Sequence, residues 1–257
     1  MLSLDSEKIK SLLPEEYTGT EIIVFNVIDS TNSEAKRVFV KDGKDMLIVA
    51  GKQTAGRGRH GKSFYSPEET GIYMSLVVHA DLPLNHAARA TTAAAVAVCK
   101  AIEKLTDKKP EIKWVNDIFI NNKKVCGILT EAVSTAGSRT ADALIIGIGI
   151  NVYTSDFPDE IKDIAGSLNE NGLDKNSLIA EICKGVFGYA ADLFSDGFIE
   201  EYRKRCFVIG KEISYERNGE RFFATAVDID ENGGLIIKNT DGEISTLQSG
   251  EISIKMT

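Results

Sequence analysis

The distribution of apolar and polar positions along the chain changes in character near residue 206. Before it, short apolar runs alternate with longer stretches in which apolar residues recur every three or four positions, a pattern typical of strands interspersed with helices. After it, short alternating runs are separated by turns rich in Asn, Asp and Gly, which predicts a small closed or half-closed β-barrel. We therefore predict two domains, residues 1–206 and 207–257.

The periodicities also predict the individual elements. In the first domain, strands are expected at 21–28, 46–50, 71–79, 111–120, 124–132 and 141–152, and a turn at Asn121-Asn122 joins the fourth and fifth of them as a hairpin. Helices are expected at 33–43, 84–105 and 176–206, the last interrupted at Asp196-Gly197. In the second domain, strands are expected at 211–216, 221–230, 234–239, 243–248 and 251–256.

Composition narrows the class of protein. The 257 residues are 43% hydrophobic, enough for a substantial core, and the net charge of −8 excludes a general attraction to nucleic acid or anionic membranes. The amino terminus does not resemble a signal peptide, and the longest apolar stretch, which ends near Ile150, is too short to span a bilayer. The four cysteines lack metal-binding spacing and are expected to be reduced and buried. We expect a cytoplasmic protein.

The stretch GRGRHGKS, Gly56 to Ser63, matches the phosphate-loop pattern G-x-x-x-x-G-K-[ST]. A P-loop needs a helix that begins at the Lys-Ser end, where free N–H groups and the helix dipole meet the phosphates. Here Pro67 and Gly71 follow closely, and the next segment has the pattern of a strand. The context therefore argues against a P-loop and leaves the arginines to be explained.

Polar segments interrupt or follow several predicted strands, and most of them carry cations. Arg57 and Arg59 on a glycine-rich backbone can grip phosphate or carboxylate oxygens, while Lys113, Lys123 and Lys124 add point charges. Such a set suits a site that brings two anionic reactants together. Taken singly, each segment also has an ordinary interpretation: a solvated loop, a charged hairpin tip, or a tightly packed strand.

The order of the segments resolves the alternatives. DSTN, QTAGRGRHGKSF, KWVNDI, KKVCGILTE and IGIGINV occur in that order between about Ile28 and Asn151. This series resembles the biotin protein ligases, whose corresponding motifs are QTAGRGRxGRxW, KWPND, [KR]KxxGIL and GxGxN. The resemblance implies an α+β fold of the class II synthetase-like type: a mixed β-sheet flanked by helices, followed by a small SH3-like β-barrel.

The resemblance also implies a two-step reaction. Biotin and ATP give biotinyl-5′-AMP and pyrophosphate, and a lysine of a biotin carboxyl carrier domain then attacks the adenylate. Magnesium is expected with ATP, but the sequence identifies no ligands for it, and Asp117 is only a candidate. By position, the catalytic residues would be Lys124, Arg57 and Arg59. The biotin site would comprise Ser30, Thr31, Asn32, Gln53, Arg57, Gly58, Arg59, Lys124 and Gly127, and the ATP contacts would be Lys113, Asn116, Asn151 and Phe64.

Three positions depart from the family pattern. Lys62 replaces the usual Arg, Phe64 the usual Trp, and Val115 the usual Pro, so the ATP contacts at these positions are expected to differ in detail from those of the family. Repressor members of the family carry a winged helix-turn-helix domain before the first strand. This chain lacks it, so no DNA binding is expected, and a homodimer is expected only by analogy with some members.

Two other functions remain open at the level of the sequence. A lipoate protein ligase would share the core fold and the acyl-adenylate chemistry, although its arginine- and glycine-rich loop has a different sequence. A biotin-binding module that has lost catalysis is the alternative from another class. Lys124 and the two loop arginines argue against that loss.

Overall fold

The protein is described by a computed structural model, which covers residues 4–42, 45–83, 87–135, 138–170, 172–190 and 197–254. Two β-sheets make up the framework. The larger has seven strands in the order β1-β2-β3-β7-β6-β5-β4. Its strands are β1 (Glu21–Phe25), β2 (Met46–Ala50), β3 (Gly71–Pro83), β4 (Glu111–Lys113), β5 (Asp117–Ile120), β6 (Lys123–Val133) and β7 (Thr140–Asn151).

Helices cover both faces of this sheet. The alanine-rich α3 packs with α4 on one face, where the isoleucines of β7 join the main core. On the opposite face, α2 packs through Ala35 and Phe39 against β2, β3 and β7. The helices are α1 (Ser6–Leu12), α2 (Thr31–Asp42), α3 (Ala87–Leu105), α4 (Lys175–Ala190) and α5 (Gly197–Arg205).

The topology brings the family-like motifs to one end of the sheet. β1 and β2 are parallel, so the segments that follow Phe25 and Ala50 leave the sheet side by side. β3 runs antiparallel to both β2 and β7, and Gly71 at its start pairs with Asn151 at the end of β7. Cys126, near the start of β6, pairs with Ile150. All five polar segments therefore meet at the same end of the large sheet.

The smaller sheet contains five antiparallel strands in the order β11-β10-β9-β8-β12. It contacts the first domain through one buried and one exposed polar contact as well as through apolar ones. Trp114 Nε1 donates a hydrogen bond to the Gly233 carbonyl at 2.9 Å, and the Lys62 ammonium lies 2.5 Å from Glu251 Oε2. The strands are β8 (Glu212–Arg217), β9 (Glu220–Ile229), β10 (Leu235–Asn239), β11 (Ile244–Leu247) and β12 (Ile252–Ile254).

Most predicted elements are confirmed, including the 121–122 hairpin, for which Asn121 and Asn122 adopt positive φ angles. One prediction is wrong: 111–120 is not a single strand. β4 and β5 are antiparallel neighbours separated by a turn at 114–116 that contains a cis Trp114–Val115 peptide. The predicted ends at Gly43, Leu84 and Asp196 lie outside the described residues, whereas Gly197 begins α5.

Within the described residues, no helix combines the length and apolarity needed to cross a membrane.

Candidate functional site

Glycines create a hollow in the sheet face that α2 covers. Successive residues of β7 point to opposite faces, so Ile146, Ile148 and Ile150 enter the main core while Gly147 and Gly149 face the hollow. Gly127 of β6 pairs with Gly149. A Cβ atom on Gly149 would lie 2.5 Å from the Phe64 ring, and one on Gly147 would lie 2.0 Å from Asn32 Oδ1. The glycines therefore let Asn32 and Phe64 lie directly on the backbone.

The polar segment 29–32 is fixed beside Gln53 by side-chain hydrogen bonds. Gln53 Oε1 accepts from the Thr31 N–H at 2.9 Å and from the Thr31 hydroxyl at 3.2 Å. The Ser75 hydroxyl lies 2.7 Å from Thr31 Oγ1 and 2.6 Å from Asn32 Oδ1. Ser30, Thr31 and Asn32 are all buried. The structure thus places the four predicted residues Ser30, Thr31, Asn32 and Gln53 together.

Asn32 uses its whole carboxamide within this network. Its Nδ2 donates to the Leu129 carbonyl at 3.2 Å and to Glu131 Oε2 at 2.9 Å, while its Oδ1 faces Ser75. A buried amide whose donors and acceptor are engaged fixes its neighbours in place. Asn32 therefore connects the start of α2 to β6.

The arginine segment forms a compact loop closed by its own backbone. The Gly58 N–H donates to the Lys62 carbonyl at 2.7 Å, and the Phe64 N–H donates to the Gly56 carbonyl at 2.9 Å. His60, at the tip, has a φ of +53°. Strand β3 follows this loop at Gly71, so the helix that a P-loop requires is replaced by a strand.

Three cations surround Asp117 at the edge of the hollow. The Lys124 ammonium lies 2.7 Å from Asp117 Oδ1, and both Arg59 and Lys113 interact electrostatically with the same carboxylate. Burial lowers the pKa values of Arg59 and Lys113. The positive charge of Lys124 also lowers the pKa of Lys113. Partly desolvated positive charge in excess over the neighbouring carboxylate favours an anionic ligand.

Asn116 and Phe64, assigned to the nucleotide from the sequence, lie beside these cations. Asn116 Oδ1 accepts from Arg59 at 3.2 Å, and its Nδ2 donates to the Ile128 carbonyl at 2.8 Å. Phe64 covers Gly127 and Gly149. A cavity of about 480 Å³ opens next to Arg59, between Leu129 of the large sheet and Asn232, Gln248 and Ser249 in the turns that connect strands of the smaller one.

Asn151 ends β7 under a loop that also contacts Lys124. Its Nδ2 donates to the Gly166 carbonyl at 3.0 Å, and Gly166 N–H donates to the Lys124 carbonyl at 2.9 Å. Among the described residues, the buried Asn151 Oδ1 has no hydrogen-bond partner. An unsatisfied buried acceptor beside a cationic pocket is suited to a donor group of a ligand.

The sequence did not single out several residues of this site. Ser75 joins Thr31 to Asn32, and Glu131 binds Arg57 and Lys36 at 3.0 and 2.7 Å. Ser75 interrupts the apolar run of β3, which was an available signal. Glu251, the partner of Lys62, lies 189 positions away and carries no local signal.

No magnesium site is evident from side chains alone. Within the described part of the chain, no three His, Cys, Asp or Glu side chains come together as metal ligands. Asp117, the candidate ligand from the sequence, forms an ion pair with Lys124. The described residues therefore do not form a pre-built cage for the ion.

Comparison with known proteins identifies the family. Residues 24–151 match the Biotin/lipoate A/B protein ligase family, and residues 208–255 match the Biotin protein ligase C terminal domain. The Bifunctional ligase/repressor BirA of Bacillus subtilis is 35% identical over 260 residues, which cover 98% of this chain and 79% of that protein. The Biotin--[acetyl-CoA-carboxylase] ligase of Mycobacterium tuberculosis is 26% identical over 235 residues, 87% of this chain and 85% of the relative.

Solved structures agree with the sequence comparison. The biotin protein ligase from Aquifex aeolicus in complex with biotin and ATP superposes with a TM-score of 0.74 at 28% identity, covering 92% of this chain and 99% of that one. The predicted fold class, a mixed sheet flanked by helices and followed by a small β domain, is confirmed. The chain belongs to the biotin/lipoate A/B protein ligase family and ends in the C-terminal domain of the biotin protein ligases.

Proposed function

We propose that this protein is an ATP-dependent, AMP-forming biotin protein ligase. It would activate biotin as biotinyl-5′-AMP and transfer the biotinyl group to a lysine of a biotin carboxyl carrier domain. The observation that carries the proposal is the set of Arg59, Lys113 and Lys124 around one carboxylate, next to a glycine-floored hollow. A relative that matches 87% of the chain is a biotin ligase by name.

In the first step, a carboxylate oxygen of biotin attacks the α-phosphorus of ATP, and pyrophosphate leaves. Both reactants are anionic, so cations fixed in advance lower their mutual repulsion without reorganising during the reaction. We assign this role to Lys124 and Arg59, with Lys113 in support. Lys124 must exchange Asp117 for the substrate oxygens, and its partly exposed side chain leaves room for that movement.

In the second step, the acceptor lysine amine attacks the acyl carbon of the adenylate, and AMP leaves. The adenylate must be kept from water until the acceptor arrives. We assign its enclosure to Arg57, Gly58 and Arg59, whose loop contacts the large sheet through Asn116 and Glu131. Biotin would lie between this loop and the sheet, near Gly127.

We assign the remaining predicted residues to the two halves of the site. Ser30, Thr31, Asn32 and Gln53 would form the polar end of the biotin pocket, with Asn32 acting mainly through the groups it orients. Phe64, Asn116 and Asn151 would face the nucleotide, where the Asn151 Oδ1 can accept a hydrogen bond. We derive no step through magnesium.

We also propose the wider setting of the reaction. Residues 1–206 would be the catalytic domain and residues 207–257 a C-terminal SH3-like barrel domain. All four cysteines are free and buried, in keeping with a reducing compartment such as the cytoplasm. The absence of DNA binding and the homodimer seen in some family members remain predictions from the sequence.

The function is tested by ATP–pyrophosphate exchange with the purified protein, in the presence of biotin, of lipoate, or of neither acid. We expect exchange only with biotin, followed by AMP release when a carrier domain with its lysine is added. Exchange only with lipoate would assign the protein to the lipoate branch of the family. No exchange with either acid, combined with biotin binding, would indicate a binding module without catalysis.

A further inference from the structure

Glu131 is a carboxylate placed inside a site that is otherwise suited to anions. Its Oε1 lies 2.7 Å from Lys36 Nζ, and its Oε2 accepts from Asn32 at 2.9 Å and from Arg57 Nη1 at 3.0 Å. Its side chain is only 16% exposed. It follows Gly127 and Leu129 on the same face of β6, so it borders the hollow.

This negative charge persists at neutral pH. Burial raises the pKa of Glu131, but hydrogen bonds from Lys36 and Asn32 and the charge of Arg57 more than offset burial, so the pKa lies below its ordinary value. A fixed carboxylate repels an incoming carboxylate or phosphate. Its position is therefore unfavourable for binding by charge alone, which suggests that it has a task of its own.

The contacts of Glu131 connect three separate parts of the site. Lys36 and Asn32 belong to α2, Arg57 belongs to the loop, and Glu131 itself is in β6. Arg57 is half exposed, and its guanidinium donates to this carboxylate although the two residues are 74 positions apart in the sequence. Within the described residues, the other side-chain links of the loop run from Arg59 to Asn116 and from Lys62 to Glu251.

We propose that Glu131 is a positioning residue for the ligase reaction: it docks the arginine loop on β6 through Arg57 before the adenylate forms. The inference rests on the proposed function, in which this loop encloses the adenylate. A docked loop loses less conformational freedom on closure, so less of the binding energy is consumed in ordering it. Arg57 keeps its Nη1 contact with Glu131 as the loop closes and has its other N–H groups for the ligand's anionic oxygens.

A purely structural role makes a different prediction. If Glu131 only ties α2 to β6 through Lys36 and Asn32, its loss lowers thermal stability and leaves the loop as docked as before. Glu131→Gln separates the two cases, because glutamine keeps the size of the side chain and can still accept from Asn32 while losing the ionic attraction for Arg57.

The chain provides a matched control. Glu181 is also held by two cations, Lys104 at 2.7 Å and Lys184 at 2.6 Å, and its side chain is 17% exposed. It lies in α4, on the opposite face of the sheet from the hollow. Glu181→Gln therefore removes the same kind of ion pairs without touching the loop.

The first measurement is limited trypsin digestion of the ligand-free protein, with mass spectrometry of fragments cut after Arg57, Arg59 and Lys62. We expect Glu131→Gln to speed cleavage at these sites about fivefold, the size expected for a partly exposed ion pair. Glu181→Gln and the wild type should be cut at equal rates there. Equal cleavage in all three proteins would overturn the proposal.

The second measurement is the release of preformed biotinyl-5′-AMP, followed by the loss of labelled adenylate from the protein. We expect release to be about fivefold faster from Glu131→Gln than from Glu181→Gln when the two variants have the same melting temperature. Faster cleavage with unchanged release would overturn the role of the docked loop in the reaction. A wild type that forms no adenylate would refute the proposed function, and the trypsin result would still decide the docking of the loop.

Discussion

At the scale of single residues, the site depends on glycines, whose lack of a Cβ atom leaves space above the sheet. β7 alternates isoleucine, which fills the core, with glycine, which leaves room for Asn32 and Phe64 on the other face. Asn32 cannot move aside easily, because its carboxamide is bonded to Leu129, Glu131 and Ser75. A methyl group in this position must therefore break a connected network of hydrogen bonds.

We expect Gly147→Ala to destabilise the protein by about 2 kcal/mol, because the added Cβ overpacks an immobile neighbour. Biotin-dependent exchange should fall with it, since Thr31 shares the displaced network. Gly188→Ala is the control: Gly188 is exposed in α4 with nothing near its added Cβ, so that change should be neutral or stabilising. Urea unfolding followed by circular dichroism measures both. Equal stability of the two variants would contradict the rigidity assigned to Asn32.

Lys113 destabilises the folded state because its charged ammonium is partly buried. Burial lowers its pKa below the ordinary 10.5, so the unfolded state binds a proton more tightly than the folded state does. The charged form is therefore penalised most below the folded-state pKa, and stability rises with pH between that pKa and 10.5.

We expect Lys113→Met to raise stability at pH 7 by about 1 kcal/mol while it lowers adenylation, a common trade-off at functional sites. The gain over the wild type should shrink as the pH approaches 10.5. Thermal unfolding across pH, with Lys109→Met as an exposed-lysine control, tests the sign. A variant less stable than the wild type at neutral pH would show that Lys113 is stabilised by its neighbours.

At the scale of elements, the arginine loop and the segments around it were largely predictable. The order of the motifs indicated that DSTN, the loop, KWVND and GIGIN serve one site, and the strand directions place them at one end of the large sheet. The meeting of Glu131 with Arg57 and Lys36 was not predictable, because these residues are 74 and 95 positions apart and share no local pattern. The break at 114–116 escaped prediction because Trp114 and Val115 extend the strand pattern of the preceding residues into it.

We expect Arg59→Gly to release the adenylate about 10- to 100-fold faster, since it removes a partly buried charge that can hydrogen-bond to the phosphate. Substitution by glycine also frees the backbone of the loop. Arg59→Ala separates the two effects, because alanine removes the guanidinium but restrains the backbone. Stray biotinylation of bystander proteins reports the escape. Unchanged retention in both variants would remove Arg59 from the enclosure.

At the scale of the whole molecule, the two sheets are connected through the site itself. Trp114, the single tryptophan of the chain, is 3% exposed and lies next to Lys113 and Val115. Its indole donates to the Gly233 carbonyl in the turn between β9 and β10, while Tyr202 Oη donates to the Val115 carbonyl at 3.0 Å. The same turn that orients the cations therefore also anchors the C-terminal sheet. We expect loss of the Trp114–Gly233 hydrogen bond to change the position of the cations in the site.

Trp114→Phe keeps an aromatic ring but leaves the buried Gly233 carbonyl without its donor. We expect a loss of about 1–2 kcal/mol, which lowers the melting temperature by about 3–6 °C for a chain of this size. Adenylation should also weaken, because Lys113 and Asn116 flank the same turn. Tyr65→Phe, at an exposed ring, controls for the loss of a polar aromatic group. Circular dichroism gives the melting temperatures and pyrophosphate exchange the activity. If the melting temperature falls and exchange is unchanged, the C-terminal sheet stabilises the fold without helping to orient the site.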